Sequence, residues 1–565
     1  MPTGQQKKRT RPGAGPRRPA QPAPPRPAAP LRTPQFETFA VRLEPARARA
    51  LAKRAIEVLP GTWRVRPLAP QLGEYELVPQ RPLAPGRAWT LARALRRVDG
   101  VVEAEPLFGY AGLEPDPDAL DAYLAPHERP RATRATRASG AGETPKPCAA
   151  SNPRWSLEAI AAESAWDLIG DLPPGRGVLV GHPDTGYTHH PELWGMGPGA
   201  VLPHLGYDYV DEDADALDPL VGSFPGHGTA TASVILSPTT ALVAPGVTGV
   251  APAASLVPVR VSTSVVHFSF SSLTRALYRL IDHAGVHLIS MSLGGPFPSD
   301  ALERALAYGI EKGVIPLAAA GNVWPFVVYP ARYERVIAVG ASHCQGGKWS
   351  GSASGSAIDV SAPGESVWRA CAKPQDGGPL YGVEPSSGTS YAVATAAGAC
   401  ALWLAHHGRA ALLQRYGAPA LADVFRRVLT ESGFRVPPGW DARRMGVGIV
   451  DAAKLLAAPL PAAAAGIRSR APKGLLESAI DYFPGDDPDR VVAALMRGVS
   501  PGRGSRASAV RNALADLGDE LLFHLGTSPA LRARLHAEAS GTTRRARATP
   551  TPLDASAAFR SKLGL

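Results

Sequence analysis

The sequence has no run of about 18 apolar residues, so a membrane-spanning helix is not expected. Cysteine is scarce: Cys148, Cys344, Cys371 and Cys400 are all there is, and none forms a C-x-x-C pair. That excludes a thioredoxin-like or zinc-ribbon reading. Cys400 stands in a small-residue stretch and is expected in a core, while Cys344 and Cys371 are left open, as a disulfide or as free thiols. The amino-terminal stretch lacks an apolar segment followed by a small-residue cleavage site. A standard secretory signal is therefore not expected, which leaves the bacterial cytoplasm or a non-classical export route. Acidic residues are missing from the first 35 positions, which carry eight Lys or Arg. This arm accounts for most of the net charge of +11 and reads as a solvated basic tail; nucleic acid is not expected as a partner.

What is present exceeds one core. A chain of 565 residues is expected to hold two or three folded units. Residues 1–35 are a Pro/Arg/Ala-rich arm without periodicity. Residues 36–110 alternate: Phe39, Val41 and Leu43 as a strand, 45–58 as a helix, Trp63–Val65 and Tyr75–Val78 as strands, 88–98 as a helix, and Val101–Ala104 as a last strand. The order βαββαβ is the split ferredoxin-like pattern. Residues 111–150 read as a linker. From 151 to 458 short apolar strands alternate with helical stretches, at Gly177–Val180, Leu256–Val261, His287–Met291, Val314–Ala319 and Val336–Val339. This is the signature of an α/β fold with a mostly parallel sheet covered by helices on both faces. A second linker, 459–470, leads to helices over 471–540, with Asp487-Pro488 as cap and first-turn proline. Leu514, Leu517, Leu521 and Leu525 make an amphipathic face there, and 541–565 reads as a disordered tail.

Four residues of the α/β region carry chemistry. Ser390, in Gly388-Thr389-Ser390, precedes a helix of small residues whose N-terminus favours developing negative charge. A serine needs a base within reach to act as nucleophile, and His227, between Gly226 and Gly228 at another helix start, can take and return a proton near neutral pH. Asp184 ends an apolar strand, where α/β proteins build sites, and can hold an imidazole tautomer. Asn322 ends another strand and can donate its amide to an oxyanion. Each alone is more often a cap, a core histidine or a turn former. Together, in one sheet region and in the order Asp, His, Asn, Ser, they point to acyl transfer.

With these residues in view, the region 155–455 closely resembles the subtilisin-like serine peptidases. The matching blocks are Val180–Gly186 with His190–Leu193, Asp208–Asp211, Gly226–Ile235, Gly249–Pro252, Ile289–Gly294, Tyr329–Ala331, Val336–Ala341 and Ala362–Gly364. Three positions depart from the family pattern: Ala230, Tyr391 and Ala394 stand where histidine, methionine and proline are usual. None is a reacting group. The resemblance implies a serine endopeptidase with Asp184, His227 and Ser390 as triad and Asn322 in the oxyanion hole. It also implies that Ser292, Leu293 and Gly294 hold an extended peptide substrate. No metal is expected in the chemistry; a structural calcium ion, common in the family, is not placed, the acidic run Asp211–Asp218 matching no ligand pattern. Residues 36–110 resemble a subtilisin propeptide, which implies an inhibitory prodomain in cis, with Glu103–Tyr110 in the cleft and self-processing near the first linker. Two readings of another class stay open: a catalytically silent peptide-binding protein on the same fold, and a scaffold built on the arm and the C-terminal helices.

Overall fold

A computed structural model describes residues 35–109, 147–150, 152–194, 201–222, 224–238, 246–266, 270–462, 475–483, 486–497, 517–540 and 555–559. The expected basic arm and most of both linkers lie outside these.

The N-terminal unit has the anticipated order: β1 Gln35–Leu43, α1 Ala48–Glu57, β2 Trp63–Ala69, β3 Glu74–Pro79, α2 Pro85–Leu95 and β4 Val101–Gly109. Its sheet runs β2-β3-β1-β4, antiparallel throughout. Alternation along β1 turns Phe39, Val41 and Leu43 inward, all fully buried against the Leu51 and Ala55 face of α1. Helix α2 begins three residues before the periodicity suggests, because Pro85 suits the first turn.

The central unit is built on nine strands: β5 Leu179–Asp184, β6 Tyr207–Asp208, β7 Ser255–Arg260, β8 Leu288–Met291, β9 Ile315–Ala319, β10 Ile337–Ser342, β11 Val360–Pro363, β14 Phe434–Arg435 and β15 Ile449–Val450. Their order is β14-β15-β11-β10-β9-β8-β5-β7-β6, and every pairing is parallel except β14 with β15. A hairpin of β12 Val367–Lys373 and β13 Leu380–Ser386 stands apart. Helices α3 His227–Leu236, α4 Ser271–Arg279, α5 Asp300–Glu311 and α6 Thr389–His407 pack on the sheet. Helix α6 is buried from Thr389 to Leu404, which its Ala, Gly and Thr content permits: a Cβ at Gly398 would stand 2.5 Å from Val250.

The C-terminal helices are α7 Leu475–Ile480, α8 Pro488–Arg497, α9 Gly518–Thr527 and α10 Pro529–Ser540. Asp487 caps α8, its Oδ1 accepting from the amides of Asp489 at 3.0 Å and Arg490 at 3.2 Å. Leu517, Leu521 and Leu525 are buried as the periodicity requires, whereas Leu514 lies outside the described residues.

Several expectations need correction. Cys344 pairs with Cys148, Cα to Cα 6.2 Å, not with Cys371. Cys371 is carried by β12 into the cleft wall and, like the fully buried Cys400, is a free thiol. Within the span read as the first linker, Pro147–Ala150 is helical and tied down by that disulfide. The tail is not featureless either. The Ser556 amide and hydroxyl donate to the buried Glu520 carboxylate at 2.7 and 2.8 Å, and Phe559 is buried. Finally, β4 does not enter the cleft. Its pairing with β1 along its whole length holds Glu103–Gly109 in the N-terminal sheet, and none of these residues lines the cleft; Tyr110 lies outside the described residues.

The carboxylates Asp208, Asp211 and Asp218 are engaged by protein donors. Asp208 and Asp211 pair with Arg260 at 2.6 and 2.5 Å. Asp218 accepts from the Thr185 hydroxyl and the Leu220 and Gly226 amides. Among the described residues no group of three or more His, Cys, Asp or Glu side chains is placed to hold a metal, and no helix is long and apolar enough to cross a membrane.

Candidate active site

A cleft of about 380 Å³ opens at the C-terminal edge of the parallel strands, where such sheets place their sites. His227, Ser292, Leu293, Gly294, Asn322 and Ser390 line it, and Asp184 lies buried behind His227.

Asp184 is the last residue of β5, and His227 the first of α3. His227 Nδ1 stands 2.7 Å from Asp184 Oδ1, and the Thr185 amide donates to the same oxygen at 2.7 Å. Burial alone would raise the Asp184 carboxyl, yet the charge and hydrogen bond of His227 hold it below the usual carboxylate range. Two glycines let the imidazole in. Gly226 takes φ +73° to start the helix, and Gly228 lies so close to the turn after β5 that an added Cβ would meet the Gly186 carbonyl oxygen at 2.0 Å. His182, unremarked in the sequence, supports the acid: its Nε2 is 3.0 Å from Thr231 Oγ1 and 3.9 Å from Asp184 Oδ2. Burial pushes the pKa of His182 down.

Ser390 is the second residue of α6, so its amide belongs to the first-turn donors that have no intrahelical acceptor. Its hydroxyl donates to the Ser292 carbonyl at 3.2 Å, not to His227, while the Ser292 hydroxyl donates to the Ser390 carbonyl at 3.1 Å. The His227 ring lies 6.4 Å, centroid to centroid, from the ring of Tyr391, the residue after Ser390. Both side chains of the expected nucleophile–base pair thus face one cleft, with the hydroxyl parked on a carbonyl.

Asn322 follows β9 between Gly321, at φ +108°, and Val323, at φ +55°. A β-branched residue in the left-handed region is strained, and the Val323 amide, bonded to the Gly351 carbonyl at 2.7 Å, helps hold it there. Asn322 Oδ1 accepts from both the amide and the hydroxyl of Thr389, each at 2.8 Å, which leaves its Nδ2 as the group free to donate. Thr389 was legible only as part of the Gly-Thr-Ser triplet; its grip on Asn322 was not.

The Ser292–Gly294 edge is partly occupied. The Gly294 amide donates to the Val265 carbonyl at 3.0 Å, and Val266 bridges Gly294 in parallel fashion. On the opposite side, the β12–β13 hairpin brings Arg369, Lys373 and Glu384 to the rim, with Glu384 bonded to both cations at 3.1 and 2.6 Å.

Comparison with known proteins identifies the family and the fold. Residues 175–420 match the model of the subtilase family. The chain is 33% identical to thermitase of Thermoactinomyces vulgaris over 275 residues, 48% of this chain and 89% of that one. It is 34% identical to subtilisin Savinase of Lederbergia lenta over 229 residues, 40% of this chain and 76% of that one. Among solved structures, fervidolysin of Fervidobacterium pennivorans, described as a keratinolytic enzyme related to subtilisin, superimposes with a TM-score of 0.54 at 22% identity. That match covers 77% of this chain and 63% of fervidolysin, and shows the fold. The chain belongs to the subtilase family and is a subtilisin-like serine endopeptidase.

Proposed function

We propose that peptide hydrolysis proceeds through Ser390, His227 and Asp184 with an acyl-enzyme intermediate, and that the chain is made as a zymogen. The observation that carries the first part is the 2.7 Å contact of His227 Nδ1 with a buried carboxylate, in a cleft that also holds Ser390 and Asn322. With Nδ1 engaged, Nε2 is the atom left to accept a proton. Rotation of Ser390 about Cα–Cβ to another staggered position exchanges the Ser292 carbonyl for the imidazole. The hydroxyl then attacks the scissile carbonyl as His227 takes its proton. Asn322 Nδ2 and the Ser390 amide receive the oxyanion; preorganised donors of this kind contribute about 3–4 kcal/mol in the transition state. His227 returns the proton to the leaving amine, and water, deprotonated by the same imidazole, releases the acid. A substrate strand adds to the Ser292–Gly294 edge by taking over the Gly294 amide from Val265.

The zymogen reading rests on position. The N-terminal unit sits at the cleft lip, where Val266, a cleft-lining residue, packs against its core.

Purified wild type and Ser390→Ala, followed by intact mass and by hydrolysis of a denatured protein, test both parts. Wild type should cut itself between about 100 and 150 and then degrade the substrate, and the variant should stay whole and inactive. Equal processing in both refutes self-maturation; equal hydrolysis refutes the nucleophile.

A further inference from the structure

The N-terminal unit meets the central unit through a set of charged contacts and through apolar ones. Glu105 on β4 accepts from the Ser299 hydroxyl at 3.1 Å and from the Asp300 and Ala301 amides at 3.0 and 2.6 Å, at the start of α5. Arg304 on α5 pairs with Glu74 at 2.6 Å and with Glu103. Arg66 and Glu76 bond Ser271. Polar contacts of this kind give orientation more than net affinity. Direct apolar contact accompanies them: Ala40 and Leu107 pack against Ala301, Ala69 is buried in the central core with Leu68 and Leu72 beside it, and Phe297 enters the core of the N-terminal unit.

A further apolar contact comes from the C-terminal helices. Phe523 on α9 packs 4.2 Å from Phe108, 5.9 Å from Trp89 and 4.9 Å from Phe297, centroid to centroid. It belongs to the same buried cluster as Phe39, Leu77 and Leu95, so the core of the N-terminal unit is completed by a side chain some four hundred residues away. Two ion pairs flank it on the same helix: Arg93 with Glu520 at 2.9 Å and Arg96 with Asp519 at 2.7 Å. The Glu520 carboxylate is buried and also accepts from Ser556. Helix α9 is in turn seated on the central unit. A Cβ on Gly526 would stand 2.6 Å from the Pro296 carbonyl oxygen, and Tyr482, after α7, donates to that oxygen at 2.6 Å. The Arg332 guanidinium lies 4.2 Å from the Tyr482 ring centroid and bonds the Ser478 carbonyl.

We propose that the C-terminal helices are a docking surface for the chain's own N-terminal unit, with Phe523, Asp519 and Glu520 on α9 as the latch that keeps that unit on the central unit. A covalent break between 110 and 146 does not by itself release the N-terminal unit, because α9 holds it from the far side. Release requires α9 to let go. The consequence for activity rests on the zymogen reading above; the latch itself does not.

The Asp300 and Ala301 amides report on docking. They belong to the first turn of α5 and have no intrahelical acceptor, so only Glu105 protects them from exchange. Hydrogen exchange is measured on the full chain carrying Ser390→Ala, which removes self-cutting. Adding Phe523→Ala or Arg96→Glu should speed exchange of these two amides by about tenfold or more. Adding Asp519→Arg to Arg96→Glu should bring the rate back to within about threefold of the parent, since the swapped pair restores the bond. The Leu317 and Val339 amides in the central sheet serve as the folding control; if Phe523→Ala disturbs them, the charge swap decides. Unchanged exchange at Asp300 and Ala301 in Arg96→Glu, or no recovery in the swapped pair, overturns the latch. The same variants with Ser390 intact then test the zymogen reading separately. Faster exchange without earlier onset of proteolysis leaves the latch standing and removes the inhibitory role of the N-terminal unit.

Discussion

The cleft and the three-way junction of N-terminal unit, α5 and α9 are built in opposite ways. In the cleft, each proposed reacting group sits by the end of a strand or the start of a helix in one unit, and neighbouring residues fix it: Gly228 under His227, Thr389 on Asn322. At the junction, side chains from three parts of the chain meet, and residues far apart in sequence share one buried network. The first arrangement suits geometry that must not move, the second a contact that can be undone. The two also carry charge differently. The cleft keeps Asp184 ionised beside His227, whereas the junction crowds Glu105, Asp300 and Asp519 together, relieved by Arg304 and Arg96.

The sharpest way to break the comparison is at the cleft. His227→Ala should lower kcat/KM on a peptide substrate on the order of 10⁴-fold. A loss of less than about tenfold would place the base elsewhere. Asn322→Ala should cost on the order of 10²- to 10³-fold in kcat with KM unchanged, because its amide acts on the oxyanion and not on the bound substrate. A rise in KM with kcat intact would make Asn322 a substrate-binding residue instead.

The charge contrast yields two pH predictions of opposite sign. In the central sheet, burial lowers the pKa of His182 and His190, and brings His287 and His407 to about 4. Their folded values lie below the unfolded one, so as pH falls through 6.5 the unfolded chain takes up protons that the folded chain refuses. Stability is then lost as pH falls from about 6.5 to 4, which urea unfolding at several pH values measures. At the junction, burial raises Glu105 to about 6, with Arg304 and the Ala301 and Asp300 amides opposing and Asp519 assisting. A carboxyl raised on docking favours the docked state below its undocked pKa, and that gain fades as pH rises through about 6. Asp300, raised by burial and by Glu105, acts in the same direction. Arg304, Glu103, Asp519 and Arg96 are the other charged groups facing this site. Protection of the Ala301 amide, normalised to its intrinsic exchange rate, should therefore rise several-fold from pH 7 to pH 5, and Glu105→Gln should flatten the profile. A rise of the same size in Glu105→Gln would assign the effect to another group.

The same contrast explains what could be read in advance. Strands β5, β7, β8, β9 and β10 announce themselves as short apolar runs, and the βαββαβ unit by its alternation, because those patterns are local. Asp184, His227, Asn322 and Ser390 are recognisable because each sits in a glycine-bearing or strand-end motif tied to one step of chemistry. The rest depends on which distant segments meet. Cys148 finds Cys344 across 196 residues, Glu105 finds the start of α5, and Phe523 enters a core whose other members precede residue 300. Nothing in the spacing of Leu517, Leu521 and Leu525 distinguishes a helix that packs on its neighbours from one that clasps a second unit. The parked Ser390 hydroxyl and the occupied Gly294 amide are likewise properties of packed edges, invisible to periodicity.

The central claim is that Ser390 becomes a nucleophile through His227, and active-site labelling tests it most directly. A fluorophosphonate probe is added to wild type, His227→Ala and Ser390→Ala, and the adduct is mapped by peptide mass. A single adduct on Ser390 in wild type, with none in Ser390→Ala and a rate lowered at least about a hundredfold in His227→Ala, is the predicted result. Labelling at an equal rate in wild type and His227→Ala, or an adduct on a residue other than Ser390, would contradict it.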